Sequence, residues 1–269
     1  MPVWDPQQYL RFAAERARPF EDLLARVGAT NPRTVVDLGC GPGNLTRALA
    51  QCWPGARVHG LDSSEPMIAA ARQASSGRLT FEQGDLRDWQ PDEPVDVLIS
   101  NATLQWIPDH LDLLSGWLDR LGPDGWLAVQ VPGNFAEPSH VLLHELAATE
   151  PYAGALAGQP LSGPASGEPA DYLRVLLDAG RLLAGQVVVD VWETTYLHVL
   201  PGPDPVLQWL SGTGARPILQ ALAATGTALA DRFRGELTQL LASAYPPGPA
   251  GTVLPFRRIF AVAHRGGPA

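Results

Sequence analysis

The chain has 269 residues, 45% hydrophobic and 17% charged, a composition typical of a folded globular protein. All 19 basic residues are arginine and 28 residues are acidic, so the formal net charge is −9. This balance, with no basic block, argues against nucleic-acid binding, and the absence of lysine excludes Schiff-base chemistry.

No apolar run is long enough to cross a membrane, and the first residues lack the pattern of a signal sequence. Only two cysteines occur, Cys40 and Cys52, which is too few for a disulfide framework. We therefore expect a cytoplasmic protein without a membrane partner. Arginine-favouring codon usage explains the missing lysine more simply than function does, although a guanidinium also suits carboxylates.

Helices and strands alternate through the first half of the chain. Asp5 and Pro6 predict the start of a first helix, which Pro19 is expected to end or kink, with a second helix at 20–27. Strands are predicted at 34–38, 57–61, 79–82, 95–100 and 126–131, and helices at 44–52, 65–73 and 111–121. Strands separated by helices predict a doubly wound parallel sheet.

The second half is less regular. Its predicted elements are helices at 139–148 and 172–177, a strand at 186–200, a mostly helical region at 205–245 and a last strand at 256–264. The fold class is therefore α/β, with a mostly parallel seven-stranded, Rossmann-like sheet that is completed late. The helices between the two late strands are expected to form a cap over the carboxyl edge of the sheet.

The loop after the first strand reads Asp37-Leu38-Gly39-Cys40-Gly41-Pro42-Gly43. Glycine permits positive φ and lets a ligand approach the backbone closely. A dinucleotide fingerprint would need glycine where Asn44 stands. Asp37, two residues before the first glycine, would repel a pyrophosphate but suits a cationic ligand.

Polar residues also follow the next three strands. Asp62 ends the second strand and is placed for a ribose diol, Asp85 follows the third, and Asn101 ends the fourth. Each acid taken alone could simply cap a helix or a turn. Capping does not explain why these residues follow successive strands in order, together with the glycine loop.

This ordered set resembles the class I S-adenosylmethionine-dependent methyltransferases over roughly residues 30 to 132. The resemblance implies that Asp37 and the glycine loop hold the methionine part, that Asp62 binds the ribose hydroxyls and that Asp85 contacts the adenine amine. The implied cofactor-binding residues are Asp37, Gly39, Cys40, Gly41, Gly43, Asp62, Ser63, Met67, Asp85, Leu86, Asn101 and Ala102.

Segments along nearly the whole chain, most of them outside this region, are similar to the trans-aconitate 2-methyltransferases. Among them are Trp4-Asp5-Pro6, Leu104-Gln105-Trp106-Ile107-Pro108, Gly212-Thr213-Gly214-Ala215-Arg216-Pro217 and Phe256-Arg257-Arg258-Ile259-Phe260. The resemblance implies methyl transfer from S-adenosylmethionine to a carboxylate of trans-aconitate or a close tricarboxylate, giving a monomethyl ester and S-adenosylhomocysteine. The chain departs from the family at Gln130-Val131-Pro132-Gly133-Asn134 and in its Gly/Pro/Ala-rich stretch Gly154 to Pro169.

The predicted domains follow from the same resemblance. They are N-terminal helices over the active site (1–28), a cofactor-binding core (29–133), a helical insertion (134–185), sheet-completing strands (186–200 and 255–265) and a helical substrate cap (201–254).

A carboxylate is ionised at pH 7 and attacks a sulfonium methyl without a general base, so we predict neither a catalytic acid–base residue nor a metal. The protein must instead exclude water and hold the other carboxylates. The predicted substrate-binding residues are Tyr9, Arg16, Arg18, Gln105, Trp106, His140, Arg216 and Arg258.

Several of these assignments have alternatives. Arg257 and Arg258 must face opposite sides of a strand, and the resemblance favours Arg258. A surface ion pair is the alternative for each arginine, and core packing for Trp106. His140 and His144 are spaced like a metal pair but lack a third ligand. Tyr196 and His198 share a strand face and either line the pocket or cover the sheet.

Three functions remain open on the sequence alone. The first is methylation of trans-aconitate, and the second is methylation of another small acid or of a natural-product hydroxyl. A hydroxyl would need a general base such as His140 or His198. The third is a non-catalytic S-adenosylmethionine-binding module. The expected partner is a small anionic acid, and the expected state is a monomer or homodimer.

Overall fold

The computed structural model describes residues 13–159, 165–183 and 186–267, and it does not describe the side chains of 13, 14 and 16. The chain forms two compact units. Of the described residues, the sheet unit contains 13–132, Ser166–Thr194 and 258–267. The helical unit contains Gly133–Ala165 and Thr195–Arg257.

A single sheet contains all the strands of the described residues. They are β1 Thr34–Leu38, β2 Arg57–Asp62, β3 Leu79–Gln83, β4 Val95–Asn101, β5 Leu121–Pro132, β6 Val187–Leu200, β7 Pro247–Gly248 and β8 Gly251–Arg265. Their order is β3-β2-β1-β4-β5-β8-β6, and the two-residue β7 pairs with β8. Strands β1 to β5 pair in parallel and β8 is antiparallel to β5. The predicted doubly wound, mostly parallel seven-stranded sheet is confirmed, with β7 as a short addition.

Ten α-helices connect the strands of the described residues. They are α1 Ala13–Leu24, α2 Asn44–Cys52, α3 Glu65–Ala71, α4 Leu111–Asp119, α5 Pro138–Ala147, α6 Tyr152–Leu156, α7 Pro169–Leu182, α8 Pro205–Ser211, α9 Arg216–Thr225 and α10 Thr227–Ala244. Short 3₁₀ turns follow α3 and β4, at Arg72–Ala74 and Leu104–Trp106.

One buried cluster of the sheet unit lies on a single face of the sheet. Leu98 and Val129 of neighbouring strands pack in one cluster with Trp117 of α4 and Leu176 of α7, all buried. Each fully buried side chain of this size stabilises the fold by about 1.5–3 kcal/mol. The helical unit has its own core, in which the rings of Tyr152 and Phe233 meet edge to face at 4.9 Å.

The expected helix break at Pro19 is wrong, because α1 continues through Pro19 to Leu24. A proline inside a helix costs about 3 kcal/mol through its missing N–H and its ring. Phe20 and Leu23, 2% and 0% exposed, more than offset that cost by burial. The predicted start of this helix at Asp5 lies outside the described residues.

Candidate active site

The glycine loop between β1 and α2 has the geometry that its sequence predicts. Gly39, Gly41 and Gly43 have φ of 84°, 55° and 77°, in the left-handed region. A Cβ on Gly39 would lie 2.1 Å from Thr103 Oγ1. A Cβ on Gly41 would meet no described atom within 4 Å. Gly39 therefore permits close packing, whereas Gly41 borders open space where a ligand can reach the backbone.

Asp62 joins this loop to the end of β2. Gly41 N donates to Asp62 Oδ2 at 2.9 Å, and Ser64 N donates to Asp62 Oδ1 at 2.9 Å. Burial raises the pKa of this carboxyl, and the two N–H donors partly oppose that rise. A carboxylate has about four acceptor positions, so each oxygen can still accept a hydroxyl hydrogen.

Asp37 is a buried acid behind the loop, with 3% of its surface exposed. Thr46 Oγ1 donates to Asp37 Oδ2 at 2.7 Å. Burial raises the pKa of Asp37 to about 7, the Thr46 bond lowers it, and the charge of Asp62 raises it further. A cation bound nearby would stabilise the ionised form of this carboxyl.

Asp85, after β3, is bound by a neighbour. Arg87 Nε donates to both Asp85 oxygens at 3.0 Å, and Arg87 N donates to Oδ1 at 2.9 Å. These contacts lower the pKa of Asp85. A cofactor group that binds the Asp85 carboxylate would therefore share it with Arg87. Nearby in sequence, Leu86 is buried, as is Met67 of α3.

The turn after β4 is strained and held by polar contacts. Ala102 has φ 54°, unusual for a residue with a Cβ. Gln105 Nε2 donates to Ala102 O at 2.7 Å, and Ala102 N donates to Gln130 O at 2.9 Å. Thr103 Oγ1 donates to Gly39 O at 3.2 Å, which fixes this turn against the glycine loop.

Arg258 is the buried arginine of the last strand. It is 4% exposed and lies opposite Pro132 in the β5–β8 pairing. Its neighbour Arg257 is half-buried, and Arg257 Nη1 donates to Gly133 O at 3.3 Å. A guanidinium buried to this degree is costly unless anionic or hydrogen-bonding groups compensate it.

The helical unit contains the other polar candidates. His140 of α5 is buried, with Nδ1 at 3.2 Å from Ser139 Oγ and the ring of Phe135 edge-on at 5.2 Å. Burial lowers the pKa of His140 to about 4. His198 stacks on Trp209 with ring centroids 4.9 Å apart.

Arg216 is half-buried and is the first residue of α9. His144 is exposed, and the described residues contain no group of three or more side chains that could hold a metal ion. No helix among these residues is long and apolar enough to cross a membrane.

Comparisons with known proteins match this architecture. A family model described as a methyltransferase domain matches residues 35–125. The trans-aconitate 2-methyltransferase of Streptomyces avermitilis is 51% identical over 272 residues, 98% of each chain. The chain belongs to the trans-aconitate 2-methyltransferase family. The Mycobacterium tuberculosis member is 49% identical over 98% of each chain.

Solved structures confirm the fold of this family member. The complex of the Haloferax volcanii Trm112 methyltransferase activator with a methyltransferase is 19% identical and has a TM-score of 0.56, over 97% of this chain and 94% of that one. At this identity the likeness extends to the Rossmann-like fold alone.

The sequence-predicted site residues fall into separate groups. The twelve predicted cofactor residues lie in the sheet unit, in and after the carboxyl ends of β1 to β4. Of the predicted substrate residues, Arg18, Gln105, Trp106 and Arg258 belong to the sheet unit, and His140 and Arg216 to the helical unit. Arg18 is exposed, as is Ser63, whereas Cys40 is buried and Trp106 half-buried. Tyr9 and the side chain of Arg16 lie outside the described residues.

The structure adds two candidate site residues that the sequence prediction did not include. Thr46 bonds the buried Asp37, and Gln130 is 1% exposed on β5. The signal for Gln130 was available in the sequence, because an amide interrupts the apolar strand sequence from Leu127 to Val131.

Proposed function

We propose that this protein transfers the methyl group of S-adenosylmethionine to a carboxylate oxygen of trans-aconitate. The observation that supports this most strongly is the 51% identity, over 98% of both chains, to a trans-aconitate 2-methyltransferase. The products are a monomethyl ester and S-adenosylhomocysteine.

The residues of the glycine loop fit that cofactor. Open space at Gly41 admits a ligand against the backbone, and Asp62 keeps acceptor positions for ribose hydroxyls. Asp37, buried and with a raised pKa, suits a positively charged methionine part. Bound there, S-adenosylmethionine supplies an electrophilic methyl group on a positive sulfur. The adenine contact assigned to Asp85 would be shared with Arg87.

We assign Arg258 and Arg216 to the substrate carboxylates. Arg258 is a buried guanidinium, and a guanidinium can form a charged, bidentate pair with a carboxylate. Arg216 begins a helix, where the helix dipole also favours an anion. Arg16, Arg18, Tyr9, Gln105 and Trp106 remain proposed contacts. The reacting carboxylate is already ionised, so these residues orient it and exclude water and move no proton.

The pKa of His140 argues against His140 as the general base for a hydroxyl substrate. A hydroxyl must lose a proton, and a histidine with a pKa of about 4 is a weak base at neutral pH. We therefore assign His140 as a neutral polar residue of the substrate pocket. We further propose a cytoplasmic monomer or homodimer without a nucleic-acid partner, consistent with two free cysteines and the net charge of −9.

The test is an assay of the purified protein with S-adenosylmethionine and a panel of di- and tricarboxylic acids, with ester detection by mass spectrometry. We expect the highest kcat/KM for trans-aconitate. Binding of S-adenosylhomocysteine without turnover of any acid would identify a non-catalytic binding module. Turnover confined to hydroxyl compounds would overturn the carboxylate assignment.

A further inference from the structure

Gln130 lies on β5, between two neighbouring strands that both pair with it. It pairs with Asn101 of β4 and with Phe260 of β8. Residues paired across a sheet project to the same face, and the face repeats every second residue. Asp37 pairs with Ile99, which pairs with Ala128. Gln130 therefore shares the face of Asp37, two residues nearer the carboxyl edge where the cofactor residues lie.

The side chain of Gln130 is buried without a partner. Neither Nε2 nor Oε1 has a hydrogen-bond partner among the residues that the structure describes, although the side chain is 1% exposed. Asn101 Oδ1 and Gln105 Oε1 are likewise buried and unpartnered within the described part of the chain. Buried polar atoms are normally hydrogen-bonded, because a buried donor or acceptor without a hydrogen bond destabilises the fold.

The fold itself has no evident need for this amide. Val129 and Val131 on either side are apolar and buried, and Ala102 N uses only the backbone carbonyl of Gln130. An apolar side chain of the same length would fill the position without an unsatisfied donor. We therefore infer that a bound ligand forms the hydrogen bonds that this amide lacks.

We propose that Gln130 is a specificity-determining residue of the methyl transfer, and that its Nε2 donates a hydrogen bond to a carboxylate oxygen of the acid substrate. This inference rests on the proposed function. It adds a neutral donor to the two arginines already assigned to the substrate.

A neutral donor suits the chemistry of the step. A lone pair of the carboxylate oxygen forms the new O–C bond, the S–C bond breaks with its electrons going to sulfur, and no proton moves. The sulfonium loses its positive charge and the attacking carboxylate loses its negative charge, so a neutral thioether and an ester group form while the other carboxylates of the acid stay ionised. An amide orients the carboxylate without the ground-state charge stabilisation of a further cation, and without the repulsion of an acid.

The experiment compares Gln130→Met, which keeps the length and removes the donor, with Gln130→Glu, which replaces the donor by a negative charge. We expect Gln130→Met to lower kcat/KM for trans-aconitate at least 10-fold, and Gln130→Glu to lower it further. The KM for S-adenosylmethionine and the calorimetric Kd for S-adenosylhomocysteine should stay within twofold. The Tm of Gln130→Met should equal or exceed that of the wild type, because an unsatisfied buried amide has been removed.

Ser100→Ala is the matched control. Ser100 is buried on the adjacent β4 and its hydroxyl donates to Leu38 O at 2.8 Å, so its loss should lower Tm and leave kcat/KM unchanged. Wild-type kcat/KM in Gln130→Met would overturn the proposal, and so would a lowered Tm with equal losses for acid and cofactor. A wild-type protein that esterifies no acid would instead overturn the proposed function.

Discussion

Two adjacent arginines on β8 have different environments. Arg258 is 4% exposed, whereas Arg257 is half-buried and hydrogen-bonded to a backbone carbonyl. A charged hydrogen bond contributes about 1.5–3 kcal/mol, which corresponds to roughly 10- to 100-fold in affinity. The pair therefore offers a comparison of two identical side chains at consecutive positions.

We expect Arg258→Ala to raise the KM for trans-aconitate by about 10- to 100-fold and the KM for S-adenosylmethionine by less than twofold. Arg257→Ala serves as the control and should leave both constants near wild type. Steady-state kinetics with each reactant varied in turn makes the measurement. Equal increases in both KM values for Arg258→Ala would remove it from the substrate site.

Asp62 allows a test of the cofactor site that does not depend on turnover. Asp62→Asn loses the charge and one acceptor oxygen, and its remaining oxygen can accept from only one of the two backbone donors, Gly41 N and Ser64 N. We expect its Kd for S-adenosylhomocysteine, measured by calorimetry, to rise about 10-fold or more, as for loss of a charged hydrogen bond. Asp88→Asn, an exposed acid close in sequence to Asp85, is the control. An unchanged Kd in Asp62→Asn would refute the ribose assignment.

For single residues, the sequence predicts where a side chain lies in the fold better than which groups it contacts. Asp62 was predictable because it ends a strand, and all parallel strands end at one edge. The Arg87 contact with Asp85 was not, because an exposed arginine has many alternative rotamers. The amide of Gln130 stands out in its apolar strand sequence, but its burial was not predictable, because that burial depends on pairing with β4 and β8, which are distant in sequence.

In the glycine loop, the same left-handed backbone conformation serves close packing at one glycine and ligand access at another. Gly39 and Gly41 both have positive φ, but only at Gly39 would an added Cβ overlap a neighbour, Thr103. A side chain in the left-handed region costs about 1–2 kcal/mol, and overlap in a packed region adds to it.

We expect Gly39→Ala to lower the free energy of unfolding by about 3 kcal/mol or more, and Gly41→Ala by only about 1–2 kcal/mol. Gly41→Ala should instead weaken S-adenosylhomocysteine binding, because its methyl group enters the open space. Urea denaturation and calorimetry give the two quantities. Equal destabilisation by the two substitutions would contradict this division of roles.

Element type was more predictable than element length. The periodicity identified each strand from β1 to β5, because buried parallel strands are short apolar runs. It underestimated β5 and β8, whose outer residues include glycine and proline and are held by pairing. It also misjudged Pro19, where the burial of Phe20 and Leu23 outweighs the local penalty.

For the whole molecule, buried titratable groups couple stability to pH in opposite directions. Burial raises the pKa of Asp37 from 3.8 to about 7, so its proton stabilises the fold and that contribution is lost as pH rises through this range. Burial lowers the pKa of His140 from 6.5 to about 4. Its contribution is present above pH 6.5 and is lost as pH falls toward 4.

His140→Gln isolates one of these contributions. A pKa difference of this size corresponds to about 3 kcal/mol, so the wild type should lose stability relative to the variant between pH 6.5 and pH 4. Thermal unfolding of both proteins across this range measures the difference. Parallel pH profiles would mean that His140 protonates in the folded state as readily as in the unfolded state. His264→Gln, at a half-buried histidine of the sheet unit, is the control.

The position of β8 in the sheet also sets an order of events during synthesis. It is the last strand of the described chain, yet it lies between β5 and β6 and pairs with β5 over eight residues. Until the ribosome has released residues up to Arg265, β5 and β6 each have an open edge, and open edges recruit foreign strands. The cofactor loop, β1 to β4 and α2 are all made earlier. A nascent chain could therefore have every cofactor residue in place while its sheet is still incomplete, and this interval is when protection from aggregation matters most.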